Sequence, residues 1–156
     1  MSYLVIKWLH VVSSTVLFGT GAGIAFFMWR AHRTGDARVI AAVAADVVRA
    51  DLLFTATAVV VQPLTGILLV HRLALPWSLL WIHGTLVLYG LIGCCWLPVV
   101  WLQVQMRNIA RRAVAEGTPL PEVYHRYFRY WFRLGWPAFA GVLVVFWLML
   151  AKPASF

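Results

Sequence analysis

Three histidines in apolar surroundings carry the most suggestive chemistry of this chain: His10, His71 and His83. His10 stands about seven residues into one apolar segment and His83 about five into another, which places both about 6 to 10 Å below the same membrane surface at the rise of an α-helix. His71 closes a third segment and emerges on that side. A pair of imidazoles at one depth on two helices is how a bundle grips a b-type haem, because the iron takes one nitrogen from each side of the macrocycle. Space for a flat ligand would come from Ser14, Leu17 and Gly21 on the His10 face and from Val87, Gly90 and Cys94 on the His83 face. The plainer alternative is that each imidazole hydrogen-bonds a serine or a backbone carbonyl at a helix interface.

A second group of polar residues recurs at helical spacing: Asp51, Thr55, Gln62 and Thr65, with Ala58 and Gly66 between or beside them. Such a stripe should face the interior of a bundle, as interhelical glue or as part of a substrate or proton path. Pro63 follows Gln62 and should free a carbonyl near mid-membrane, which Gln62 or a water could satisfy. Arg49 lies close enough in sequence to Asp51 for an ion pair. Cys94 and Cys95 with Met28, Met106 and Met149 are soft enough for copper(I), but the methionines do not share the cysteines' depth, and core packing accounts for them better. His125, Arg126 and Arg129 lie in a basic, aromatic stretch suited to anionic lipid or to a carboxylate such as a haem propionate. No nucleophile triad, phosphate loop or zinc spacing is present.

The elements that must position these residues are transmembrane helices. The 156 residues are 63% hydrophobic and only 12% charged, with a mean hydropathy of +0.84. A crossing takes about 20 apolar residues, and four candidates run over about 4–29, 46–70, 79–102 and 134–150. The expected fold is an all-α, four-transmembrane-helix bundle in one domain, with a short interfacial helix over Glu122–Arg133 before the last span. Gly19, Gly21 and Gly23 suit close helix contact. The first segment carries Lys7 and no small-residue cleavage site, the pattern of a retained helix. The net charge of +8 sits in the connections and points to membrane orientation, not to nucleic acid. Arg30, Arg33 and Arg38 in the first loop and six arginines from Arg107 to Arg133 in the third predict both loops cytoplasmic and both termini periplasmic.

The strings GTGAGIAFF (Gly19 to Phe27), QPLTG (Gln62 to Gly66), CWLPVVWLQ (Cys95 to Gln103) and WPAFAGVLVVFWLMLAKP (Trp136 to Pro153) resemble a bacterial family of integral membrane proteins known as a domain of unknown function. The resemblance covers nearly the whole chain and implies a multi-pass protein of the bacterial inner membrane. A more distant likeness is to the HemJ-type protoporphyrinogen oxidase, a four-helix membrane protein that binds haem b. Lys7 with His10, Trp81 with His83, and the closing Lys152-Pro153 resemble its layout, whereas Gly84 and Thr85 stand where that enzyme has Ala-Lys, and its Asn-Glu is replaced by the neighbourhood of Arg133, Leu134 and Gly135. This likeness implies haem b on His10 and His83, with His71 as an alternative ligand. It would make the chain a HemJ-like oxidoreductase, or a carrier in electron transfer or porphyrin handling, with quinone or porphyrin as partner. The alternatives are a cofactor-free accessory or assembly subunit, held in a homo-oligomer or by a membrane partner, and a transporter or copper-handling protein using the stripe.

Overall fold

The computed structural model describes residues 2–153. Four long apolar helices form an all-α bundle. The first is α1 (Tyr3–Thr34). The second begins as α2 (Ala37–Ala50), passes through a π-helical turn at Asp51–Thr55 and continues as α3 (Ala56–Arg72). The third and fourth are α4 (Leu80–Glu116) and α5 (Glu122–Ala151).

Local chemistry sets the helix ends. Gly35 and Gly117 adopt φ of 68° and 64° just past α1 and α4, a left-handed conformation that glycine enters without a Cβ penalty and that lets the helix terminate. Asp36 then caps α2, its carboxylate accepting from the Arg38 N–H at 2.7 Å, which satisfies a donor the first turn leaves free. No helix ends between Glu122 and the last span. The expected interfacial helix is instead the first part of the 30-residue α5, because Gly135 keeps helical backbone angles there, unlike Gly35 and Gly117, and Pro137 inside the helix is accommodated.

Packing is densest towards the arginine-rich end. Ile40, Ala44 and Val47 place one face of α2 against Met28, Met106, Tyr124 and Phe128, all buried in one cluster; the i, i+4, i+7 spacing aligns those α2 side chains. The helices here run beyond the expected spans and build a buried core of their own. A smaller cluster of Val70, Trp81 and Ile82 lies at the opposite end. Outward-facing residues such as Leu4, Trp8, Phe26, Leu53 and Leu150 are apolar and exposed, the surface that lipid covers.

The close approaches differ from those expected of the glycines. Nothing lies within 4 Å of a Cβ built on Gly19, Gly21 or Gly23, so that stretch leaves open space instead of a tight interface. Tight contact falls at Gly141, where a Cβ would meet Ile92 at 2.8 Å; at Gly66 it would meet His10 at 3.5 Å, an ordinary contact.

Candidate intramembrane ligand site

The polar stripe divides into two sites. A π turn inserts the equivalent of one extra residue, rotating the following helix by about 100° relative to an unbroken α-helix. Asp51 and Thr55 bracket this turn and face the space among α1, α4 and α5. Gln62 and Thr65, beyond it, face α1 instead.

Towards α1 the polar groups are satisfied. Gln62 donates to the His10 carbonyl and to Ser13 Oγ, each at 2.7 Å. His10 Nδ1 bonds the Thr65 hydroxyl at 2.8 Å, and Thr65 Oγ1 also lies 2.7 Å from the Val61 carbonyl. Gln62 thus joins two helices and does not serve the carbonyl that Pro63 frees. That carbonyl belongs to Val59, four residues earlier, and the Tyr89 hydroxyl of α4 donates to it. A mid-membrane acceptor left without its helical N–H is thereby paired by a neighbouring helix.

Towards α4 and α5 the arrangement is incomplete. A cavity of about 310 Å³ opens between α1, α4 and α5, with Phe18, Gly21, Trp96, Trp136 and Phe139 among its walls. Phe18 stacks on Phe139 at 4.8 Å between centroids and closes one side. The polar part of the lining is Asp51, Thr55 and Gln103. Asp51 is 4% exposed; its carboxylate receives Trp96 Nε1 at 3.4 Å. With its amide turned to satisfy both neighbours, Gln103 donates to the other Asp51 oxygen at 3.1 Å and accepts from Trp131 Nε1 at 3.3 Å. The Thr55 hydroxyl, on a residue only 6% exposed, lies close to the Asp51 carboxyl without a well-formed hydrogen bond among the described residues. A buried hydroxyl so weakly paired is uncommon in a folded protein. The ion pair expected with Arg49 does not form, because Arg49 turns outward to Asp46 at 3.1 Å. Among the described residues, no cationic side chain bridges to Asp51.

Of the histidines expected to share a ligand, His10 is engaged by Thr65, whereas His83 and His71 are exposed, His71 lying T-shaped to Trp77 at 5.8 Å. α1 packs on α2, α3, α5 and the π turn, and α4 packs on α2 and α5; α1 and α4 share no extensive interface. Neither His10 nor His83 lines the cavity. A haem between these two side chains is an expectation of the sequence alone. Of the residues expected around such a haem, Gly21 lines the cavity, whereas Ser14 turns its hydroxyl to the Val11 carbonyl at 2.7 Å and Val87 and Gly90 are exposed. Cys94 and Cys95 are free thiols, and no group of three or more His, Cys, Asp or Glu among the described residues is placed to hold a metal.

At the arginine-rich end, His32 stacks on Phe128 at 3.6 Å and 8° and its Nδ1 lies 3.3 Å from the Tyr124 hydroxyl. Burial, then the neighbouring His125, lower the His32 pKa below its ordinary value, and burial raises that of the Tyr124 phenol. Both lie outside the expected spans. Arg129 pairs with Glu122 at 3.2 Å on the surface, and Arg126 is exposed, which leaves Arg126 facing outward where lipid headgroups lie.

Residues 4–153 match the model of a family described as "Predicted integral membrane protein (DUF2269)". The chain belongs to that family. This DUF2269 protein matches no curated protein and no solved structure. Of its buried Asp51, Gln103 and Trp131, Asp51 belongs to the expected stripe, whereas the other two lie on α4 and α5 outside it. Gln103 and Trp131 gave no signal beyond being a polar and a ring side chain near span ends, and the rotation at the π turn has no glycine or proline to announce it.

Proposed function

We propose that this DUF2269 protein binds a lipophilic small molecule within the membrane, in the cavity among α1, α4 and α5. The observation that carries this reading is the buried Asp51 carboxyl, with the weakly paired Thr55 hydroxyl beside it and no cationic side chain bridging to it among the described residues, in a largely apolar cavity. Binding sites of this kind combine apolar walls with a few placed polar groups that fix orientation, and intramembrane polar residues mark function more often than chance. A π turn at the polar end adds weight, since such turns recur at functional sites. The aromatic walls suit a ring system, the class to which a quinone or a porphyrin would belong.

Haem b on His10 and His83, implied by the likeness to the HemJ-type oxidase, is less well supported by the geometry. The orientation that puts the arginine-rich loops in the cytoplasm rests on charge alone.

The test is binding of a fluorescent naphthalene probe to the chain in lipid nanodiscs, with empty nanodiscs subtracted. Gly135 and Gly21 line the cavity and have room for a side chain, so Gly135→Leu and Gly21→Leu should fill it without disturbing the helices. Saturable binding that both variants abolish is the expected result. Binding that neither variant diminishes would overturn the reading.

A further inference from the structure

We infer that the ligand of this cavity is a lipophilic cation, an ammonium-type head on an apolar body; the inference rests on the cavity being a ligand site, as proposed above. Among the described residues, Asp51 is the only acidic one that lines it, and no lysine, arginine or histidine does. Its side-chain neighbours, the Trp96 indole, the Gln103 amide and the Thr55 hydroxyl, are all neutral, and the first two are placed to donate to it. A carboxylate has about four acceptor positions, so two such bonds leave it capacity on the side that faces the cavity. The chain carries 13 lysines and arginines, yet none is brought to this carboxylate. Even Arg49, two positions away, is committed to Asp46. A carboxyl group buried in low dielectric is stabilised by an opposite charge, and removing one partner of such a pair is costly. A bound cation is that missing partner.

The walls favour the same charge. Phe18, Trp96, Trp131, Phe132, Trp136 and Phe139 line the cavity, and aromatic faces attract cations, most strongly when water is excluded. Aromatic rings beside a carboxylate make one environment that attracts a cation through both the ring quadrupoles and the full charge. The Thr55 hydroxyl adds an oxygen that can accept from an N–H of a protonated amine. A neutral ring bearing only acceptor atoms would leave the spare acceptor positions of the carboxyl group unmatched.

Two isosteric probes decide this: trimethyl(phenyl)ammonium and tert-butylbenzene, which share shape and differ in charge. Their affinities are measured by equilibrium dialysis against nanodiscs with and without the chain, so that partition into lipid is subtracted. The wild-type chain should bind the ammonium about tenfold more tightly than the hydrocarbon. Asp51→Asn, which keeps the size of the side chain, should remove that preference. Trp136→Leu, at a ring that is 62% exposed and lines the cavity, should weaken the ammonium by about threefold and so gives a second readout if the Asp51 variant does not fold. Equal affinities in the wild type, or a preference that survives both substitutions, would overturn the cation and leave the lipophilic site standing. Binding of both probes that Gly135→Leu does not diminish would overturn the site itself.

Discussion

Tyr89 of α4 donates its hydroxyl to the carbonyl of Val59 in α3, the acceptor that Pro63 deprives of its helical N–H. The two residues thus form one device, a proline that opens a helix and a phenol from the next helix that closes the gap. Tyr89→Phe should destabilise the protein by about 1 kcal/mol, the usual consequence of leaving a buried acceptor unpaired. In a Pro63→Ala background residue 63 regains its N–H, so the same substitution should cost much less. Unfolding in mixed micelles, followed by tryptophan fluorescence across the four variants, checks this. An equal loss in both backgrounds would mean that Tyr89 acts through packing alone.

The joint between α1 and α3 makes a second, separate prediction. Gln62→Leu removes two bonds, to the His10 carbonyl and to Ser13, and should cost about 1 to 2 kcal/mol, within the range of interhelical hydrogen bonds in membranes. Thr65→Val should cost about 1 kcal/mol or less, and less again when His10 is already alanine, because the two side chains share one bond. Probe binding in the cavity should be unchanged in all of these, since none of the three residues lines it. In the same preparations, purified from haem-supplied cells, a visible spectrum without a Soret band is expected. A Soret band lost in both His10→Ala and His83→Ala would restore the haem reading.

Gln103 should be among the most sensitive single positions. Its amide joins Asp51 to Trp131 and is 3% exposed, so Gln103→Leu leaves a carboxylate oxygen and an indole N–H without partners at once. A loss of about 2 to 4 kcal/mol is expected from two orphaned buried groups, one of them a carboxyl. Gln103→Glu keeps the acceptor for Trp131 but sets two carboxyl groups together, and should also destabilise. Asp51→Asn should be milder than either. Denaturation in detergent orders the three; Gln103→Leu as the mildest would show that the network is not what holds this end of the cavity.

Much of the bundle could be read directly from the chain. Long apolar runs and arginine-rich connections define four helices because a spanning backbone must satisfy its own hydrogen bonds, which leaves helix as the economical solution. The candidate site was only half legible. Asp51 and Thr55 stand out as polar groups in an apolar run, yet an unbroken α-helix would aim Gln62 the same way, and the π turn that separates them leaves no mark in composition. Equal depth for His10 and His83 says nothing of azimuth, and it is azimuth that leaves His83 exposed while His10 turns to Thr65. The glycines mislead for a related reason: a small residue permits close approach without requiring it, so Gly21 borders open space while Gly141 meets Ile92. Arg49 chose Asp46 over Asp51 because an exposed pair keeps its hydration, whereas drawing a guanidinium inward would strip it.

The arginine-rich end should be sensitive to acid through His32. Burial first, and His125 second, favour the neutral form of its imidazole in the folded protein. The folded pKa is therefore depressed, so the unfolded chain binds more protons as pH falls, and stability decreases with it. The contribution is fully present above the ordinary histidine value of about 6.5 and is lost as pH drops through that value towards the lower folded pKa. Hydrogen exchange in the first turns of α5 should accelerate between about pH 7 and pH 5, beyond the intrinsic change in exchange chemistry, because protonation charges a partly buried imidazole close to His125. His32→Phe keeps an aromatic ring on Phe128 but cannot titrate, and should flatten that response. His125→Gln should weaken the response only in part, since burial is the larger cause. A response unchanged in His32→Phe would place the acid-sensitive group elsewhere.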